Sequence, residues 1–457
     1  MNSGRLDAAL DAERARRDLA SVTAAVVSGG RTVWAGGTGT VDGRDGAEVT
    51  ADTQYRIGSI TKTITAVEVM RLRDEGLLDL ADRIGDHLPH LPFAHVTIAQ
   101  LLTHTSGLQA ETNGPWWERV PGGAWDDLMT DPPRLVHEPG TRFHYSNVGF
   151  AVLGRLVEVR RSAPWFEVVR SEIVDPLGMS RTTWDRVEPA ATGLSRHPGT
   201  ERLIREPAPA TGAMAPAGQL WSTAQDLARW VAFANGDTGG VLDPATLTAM
   251  RIPLAVDDRP GAEWATAQGL GWRIWHGDGY GRQVGHGGSM PGFLATLVAE
   301  PQTGLGVVVL ANDTNRLGDV DDELLSTARE LWPSPARQWR APTPGVAHLA
   351  GDWFWGVVPF RLEPDGDGFV LGVVEGPRRS RFVPDGDGFV LGVVEGPRRS
   401  RFVPDGDGWR GLDAYFAGER LVVRPDGAID LASFVLTRTP YDTGVEHPGG
   451  LDPLGWH

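Results

Sequence analysis

The chain has 457 residues, 41% of them hydrophobic and 22% charged, a globular composition with length enough for two or three domains around real cores. Its net charge of −16 argues against a nucleic-acid partner and against docking on anionic membranes, and no apolar run reaches the length of a membrane-spanning helix. There is no cysteine, which excludes disulfides and thiolate metal sites.

In chain order, Ser3 to Asp18 reads as an amphipathic helix with Leu6, Ala9 and Leu10 on one side. Met1 to Asp18 is rich in Arg, Asp and Glu and lacks the apolar core of a secretory leader, so a cytoplasmic location is expected. Two strands follow, Val22 to Val27 and Arg31 to Ala35, joined by a Gly29-Gly30 turn. Ile60 to Arg73 places Ile64, Val67, Met70 and Leu72 near helical spacing, with Gly76 as the stop. Further helices are expected at Thr97 to Thr103, Val148 to Arg160, Trp165 to Ile173, Ala224 to Ala234 and Asp321 to Leu331. Late strands are expected at Leu270 to Ile274, Phe293 to Ala299 and Leu305 to Leu310, the last two joined by the turn Pro301 to Gly304. Strands at both ends with helices between predict an α+β or mixed α/β domain with an antiparallel sheet over 1–335.

A Pro-rich stretch marks a linker at 336–346, followed by an all-β unit over 347–440 with short runs at Gly351 to Val358, Phe369 to Val374, Arg420 to Arg424 and Ser433 to Thr437, and a tail at 441–457. Within the β unit, residues 364–383 recur without one change as 384–403, and a third Pro-Asp-Gly-Asp-Gly begins at Pro404. Two copies cannot build a solenoid. The repeat reads as a recent tandem duplication or a sequence-assembly error rather than a functional repeat; a small barrel has room for one copy, and the other is expected to protrude as an extra hairpin or loop. Asp365 to Gly368 resembles part of a calcium loop but lacks its remaining ligands, so turn chemistry is the expected use.

Lys62 is the one lysine of the chain, against 42 arginines among 43 basic residues. Arginine never deprotonates in proteins, whereas a buried lysine can act as a base. Ser59 stands one helical turn earlier, on the same face, and Ser-x-x-Lys gives a serine nucleophile its base. Placement at a helix start also puts developing negative charge near the positive end of the helix dipole. Downstream, Tyr145-Ser146-Asn147 opens a helix; such a tyrosine can share a proton with the lysine, and the asparagine can orient a substrate amide. Gly285-His286-Gly287-Gly288-Ser289 supplies a glycine-rich strand edge that a substrate backbone can approach closely.

These three elements in this order resemble the serine β-lactamase and penicillin-binding-protein superfamily, in the branch of class C β-lactamases, D-amino-acid peptidases, family VIII esterases and penicillin-binding-protein-type thioesterases. The resemblance covers about residues 1–335 and is reinforced by the phrase Leu101 to Leu108, Leu-Leu-Thr-His-Thr-Ser-Gly-Leu. It implies a serine β-lactamase-like catalytic domain with a helical subdomain, followed by a lipocalin-like β domain. It further implies Ser59 as acylated nucleophile, Lys62 as base or relay, and Tyr145 as second base that later protonates the leaving group. Asn147 would position the substrate amide, His286 would replace the family's usual lysine, and the backbone N–H groups of Ser59 and Ser289 would form the oxyanion hole. Gly287 and Gly288 would line the substrate strand. A histidine in the third motif resembles the esterases and D-peptidases more than the β-lactamases, since its unperturbed pKa of ~6.5 leaves it mostly neutral at pH 7.

Trp116, Trp117 and Trp125 predict an apolar acyl pocket, and Arg438 is a candidate for a substrate carboxylate if the β unit caps the site. His104 reads as a structural histidine. Twelve histidines form no tight metal motif, so no metal or cofactor is expected. The expected activity is that of a serine hydrolase or acyltransferase on ester, thioester or amide bonds of peptidyl substrates with a D-residue. Its alternatives are a stand-alone penicillin-binding-protein-type thioesterase that offloads and macrocyclises a non-ribosomal peptide presented by a carrier protein, or a family VIII-type esterase. A binding module that has lost catalysis predicts damage to the Ser, Lys, Tyr or oxyanion elements, and none is visible.

Overall fold

The computed structural model describes residues 4–200, 202–258, 261, 264–277, 281–314, 317–333, 344–365, 368–373, 399–412 and 414–440. The chain divides into two compact units, Met1–Ser334 and Pro335–His457.

The first unit is built on an antiparallel sheet of eight strands: β1 (Ser21–Ser28), β2 (Arg31–Gly39), β3 (Ala255–Val256), β4 (Thr266–Gln268), β5 (Arg273–Gly277), β6 (Gly281–Met290), β7 (Phe293–Glu300) and β8 (Leu305–Ala311), in the order β2-β1-β8-β7-β6-β5-β4-β3. Both faces are covered. Val22, Ala24 and Val26 of β1, with Val307 and Val309 of β8, meet Leu6 and Leu10 of helix α1 (Gly4–Arg17) and a later helix at Val320–Leu331. Ala25, Val27, Val308 and Leu310 face the other way into the helical body. That two-sided burial is why β1 and β8 read as continuous apolar runs rather than alternating ones.

Helix α2 (Thr61–Asp74) lies at the centre of that body and is buried nearly all round, polar Thr61, Lys62, Thr63, Thr65 and Glu68 included. An inward apolar face was expected; the structure instead wraps the helix on all sides. Helix α3 (Asn147–Arg161) packs on it, with Ser146 Oγ accepting from Gly149 N as an N-cap at 3.0 Å.

Some boundaries differ from expectation for local reasons. The strand expected from Leu270 starts at Arg273, because Gly271, at φ +80°, passes so close over α2 that a Cβ would meet that of Ala66 at 2.1 Å. The helix beginning at Trp165 is α-helical to Val169 and then widens into a π turn through Val174. The single run expected over Gly351 to Val358 is a hairpin, Gly351–Trp355 and Val358–Asp365, turning at Gly356 with φ +60°.

The second unit is a closed eight-stranded barrel of sequential antiparallel neighbours, filled by Trp353, Leu362, Phe369, Leu371, Phe402, Leu421 and Leu431. Its strand Gly368–Val373 comes from the first copy of the repeat, and its neighbour Arg399–Asp405 starts in the end of the second. The pairing Phe369↔Phe402 stacks two rings at 5.0 Å. Residues 374–398, the rest of both copies, lie outside the described residues, as do 336–343 of the expected linker and the tail 441–457. The Asp-Gly-Asp-Gly segment starting at Asp405 is a hairpin turn, with Gly406 at φ +64° between the paired Asp405 and Gly408. Among the described residues no helix is long and apolar enough to cross a membrane.

Candidate active site

Ser59 sits in a 3-10 turn, Gly58–Ile60, that leads directly into α2. Its Oγ is the meeting point of two side chains: Lys62 Nζ lies 2.9 Å away and the Tyr145 hydroxyl 3.0 Å away. Lys62 Nζ also donates to the Ala217 carbonyl at 2.7 Å. Ser59 is half-buried and so remains reachable from solvent, whereas Lys62 is fully buried.

Burial lowers the Lys62 pKa to about 7, although the nearby carboxylates of Glu111 and Glu118 oppose the shift. A neutral amine at Nζ can then donate to Ala217 and accept the Ser59 proton. Burial pushes the Tyr145 phenol the other way, well above its usual value, even with Ser59 holding it down. With its proton kept, the phenol donates to Ser59 Oγ.

The turn at Tyr145 is pinned to the segment after α2. His144 N donates to the His104 carbonyl at 2.7 Å, Ser146 N to His104 Nδ1 at 3.0 Å, and Asn147 N to the Ala110 carbonyl at 2.8 Å. Asn147 Nδ2 donates to Glu111 Oε1 at 2.7 Å, and Trp117 Nε1 to Glu111 Oε2 at 2.7 Å. A carboxylate can only accept, so this pairing fixes which way the Asn147 amide points.

Strand β6 forms the opposite wall. It pairs with β5 only through Gly281 to Gly285; among the described residues, His286 to Met290 pair with β7 alone and leave the other edge to the Ser59 turn. Two glycines allow the approach. A Cβ on Gly58, whose φ is +50°, would lie 2.6 Å from Ser289 N, and one on Gly288 would lie 2.0 Å from the Ile57 carbonyl oxygen. Gly287 has open space beside it. The turn carrying Ser59 and the backbone of Ser289 are thus held close together.

His286 is buried, with its ring 6.1 Å from that of Tyr145. Its Nδ1 donates to the Gly287 carbonyl at 2.6 Å, so Nε2 carries a lone pair. Burial first, and Lys62 next, lower its pKa to about 3. It brings no positive charge to the site.

The remaining expected residues separate. Trp117 is buried, and its ring reaches Gly218 beside the Ser59 turn. Trp116 faces outward, donating to Glu118 Oε2 at 2.8 Å under the Arg119 guanidinium. Trp125 lines a different cavity of about 620 Å³ with Trp165, Phe166 and Trp184, whose lining does not include Ser59. The guanidinium of Arg438, expected to be available to a substrate carboxylate, instead donates to the carbonyls of Ala350, Asp352 and His348 and stacks on Trp353 at 3.9 Å. It is engaged within its own barrel. Glu111, Glu118 and the close role of His104 were missed by sequence reasoning; Glu111 follows the phrase ending at Leu108 by three residues, the one signal that could have raised it.

The family model of beta-lactamases matches residues 6–329, and a second model, of a domain of unknown function, matches residues 390–438. Penicillin-binding protein 4 of Amycolatopsis lactamdurans is 31% identical over 340 residues, 67% of this chain and 86% of that protein. The D-stereospecific amidohydrolase of a Streptomyces species superposes with a TM-score of 0.58 at 25% identity, over 73% of this chain and 99% of that one. The octameric penicillin-binding protein homologue of Pyrococcus abyssi superposes with a TM-score of 0.65 at 21% identity, over 96% of this chain and 100% of that one.

Proposed function

The chain belongs to the beta-lactamase family of serine hydrolases, and we propose that within it this protein cleaves amide or ester bonds of peptidyl substrates carrying a D-residue, through an acyl-enzyme on Ser59. The observation that carries the reading is the convergence of Lys62 Nζ and the Tyr145 hydroxyl on one serine oxygen.

In this mechanism neutral Lys62 takes the Ser59 proton as Oγ attacks the substrate carbonyl. The carbonyl oxygen becomes an oxyanion facing the N–H groups of Ser59 and Ser289, a contribution commonly worth about 10²–10³ in rate per donor. The Tyr145 phenol protonates the departing amine or alkoxide and is reprotonated from the Lys62 ammonium. The acyl-enzyme remains; water attacks its carbonyl with Lys62 again accepting the proton, the bond from the acyl carbon to Ser59 Oγ breaks, and Lys62 returns the proton to Oγ as the acid leaves.

Two features bear on the acyl donor. Neutral His286 offers nothing to a substrate carboxylate, and Glu111 and Glu118 place negative charge near Lys62. The site therefore favours neutral or cationic acyl donors over the anionic penicillins. The structural likeness to the Streptomyces D-stereospecific amidohydrolase supports an amide with a D-residue. An amine of the same acyl chain can replace water as acceptor, in which case the product is a macrocycle; carrier-protein presentation and a cytoplasmic location go with that second reading.

The test is mass spectrometry of the protein mixed with a peptidyl thioester or ester ending in a D-residue, beside a Ser59→Ala control. Serine-dependent free acid is the expected product. A serine-dependent product lighter by one water supports the cyclase, and turnover that survives Ser59→Ala sinks both.

A further inference from the structure

His104 holds the chain around Tyr145 at three points. Its carbonyl accepts from His144 N at 2.7 Å, its Nδ1 accepts from Ser146 N at 3.0 Å, and its ring stacks on the Tyr145 ring at a centroid distance of 4.3 Å and an interplanar angle of 30°. The residues before, at and after the tyrosine are each in contact with one residue of another segment. From this grip we infer that His104 is the positioning residue of Tyr145: it touches no reacting atom and acts by aiming the phenol at Ser59 Oγ. The inference rests on the acyl-enzyme reading of Ser59 and adds to it a residue outside the three motifs.

Three observations argue against His104 as ordinary core filling. First, its backbone is left-handed, at φ +56°, a conformation uncommon for any residue with a Cβ and maintained only where the surroundings enforce it. Second, the hydrogen bond dictates its proton: because Nδ1 accepts from a backbone N–H it carries none, so the ring is neutral with its hydrogen on Nε2. Burial, with Lys62 nearby, keeps the imidazole in that neutral form by lowering its pKa far below the usual value. Third, no other side chain meets both demands. Asparagine suits the left-handed turn and presents an acceptor, but has no ring to stack. Phenylalanine stacks but accepts nothing, and would leave Ser146 N–H buried without its partner.

Besides His104, the Tyr145 ring has Lys62 Nζ 5.1 Å from its centroid and the His286 ring at 6.1 Å, and neither is hydrogen-bonded to the phenol. Loss of the stack or of the Ser146 bond frees it to move, and a displacement of about 1 Å at a reacting group can cost about 100-fold in rate.

The experiment measures the rate at which an aryl phosphonate labels Ser59 with loss of phenoxide, a leaving group that draws on the proton Tyr145 supplies, so the rate reads the placing of the phenol with no knowledge of the natural substrate. It is run on wild type, His104→Asn and His104→Phe, each with and without Tyr145→Phe, with thermal unfolding recorded for every variant. In the wild-type background each His104 variant is expected to label about 10- to 100-fold more slowly at unchanged probe affinity. In the Tyr145→Phe background the same changes are expected to cost less than about twofold, because the group they aim is gone. A folded His104 variant that labels at the wild-type rate overturns the inference. So does an equal loss in both backgrounds, the mark of a general structural role. Asparagine keeps the turn and the acceptor while phenylalanine keeps the stack, so either one that folds suffices. Wild type that is not labelled at Ser59 at all overturns the acyl-enzyme reading itself, and the role of His104 with it.

Discussion

Gly288 lies against Ile57 so closely that a Cβ would stand 2.0 Å from the Ile57 carbonyl oxygen. Strand β6 and the turn carrying Ser59 are held at a separation only glycine permits, and that separation sets where Ser289 N–H lies relative to Ser59. Gly288→Ala must push the strand outward. The expected result is a loss of about 10²-fold or more in kcat, comparable to removing one oxyanion donor, with a melting temperature that falls far less in proportion. Steady-state kinetics and a thermal melt check this; an alanine variant with full kcat would mean the two segments part without consequence.

The acid limb of activity should follow Lys62. Its pKa is lowered to about 7, so below that pH the amine is protonated and kcat/KM falls about tenfold per pH unit, while above it the rate levels. Lys62→Arg, which cannot deprotonate, should cost about 10³-fold or more. Glu111 helps hold the ammonium, so Glu111→Gln should move the limb to lower pH, whatever else it costs through Asn147. A limb that stays in place in Glu111→Gln would remove Lys62 as its origin.

Glu68 predicts a stability effect on the far side of α2. It is buried between Arg71, at 3.2 Å, and Arg161, at 3.0 Å; burial first, and Glu172 next, raise its pKa to about 7. A carboxyl raised in the folded state binds a proton that the unfolded chain has released, so stability falls as pH rises from about 4.5 to about 7 and is flat above. Glu68→Gln does not titrate. It should match wild type near pH 4.5 and exceed it at pH 8 by about 3 kcal/mol, the size of that shift. Melting curves of both proteins across this range decide it, and parallel curves would refute the assignment.

The repeat in the barrel permits a clean deletion. Excision of 384–403 removes one of two identical copies, so the residues of the Gly368–Val373 and Arg399–Asp405 strands remain in the same order with the same neighbours in sequence. Shortening the chain between paired strands lowers closure entropy by only about 0.6 kcal/mol per halving. The variant should melt within a few degrees of the full chain and label Ser59 at the same rate. Loss of the folded barrel in the variant would show that the second copy is required.

The chemistry was written in one dimension. A lone lysine among arginines, one turn after a serine, raised Lys62 and Ser59 as candidates; Tyr145, Asn147 and the glycines around His286 followed from motif order, and the buried strands from their apolar runs. Those features are legible because they depend on residue type and on spacing within a single element. The tertiary structure decided what depends on distant segments meeting. It brought the segments around Ser59, His104, Tyr145 and His286 into one site, and burial lowers the pKa of Lys62 and raises that of Tyr145. It turned Trp116 outward, gave Trp125 to another cavity and engaged Arg438 inside the barrel. Desolvation and close approach are sums over neighbours far apart in sequence, so the contacts of Glu111 and His104 with the Tyr145 turn are in no local pattern, although a local phrase holds His104 and ends three residues before Glu111.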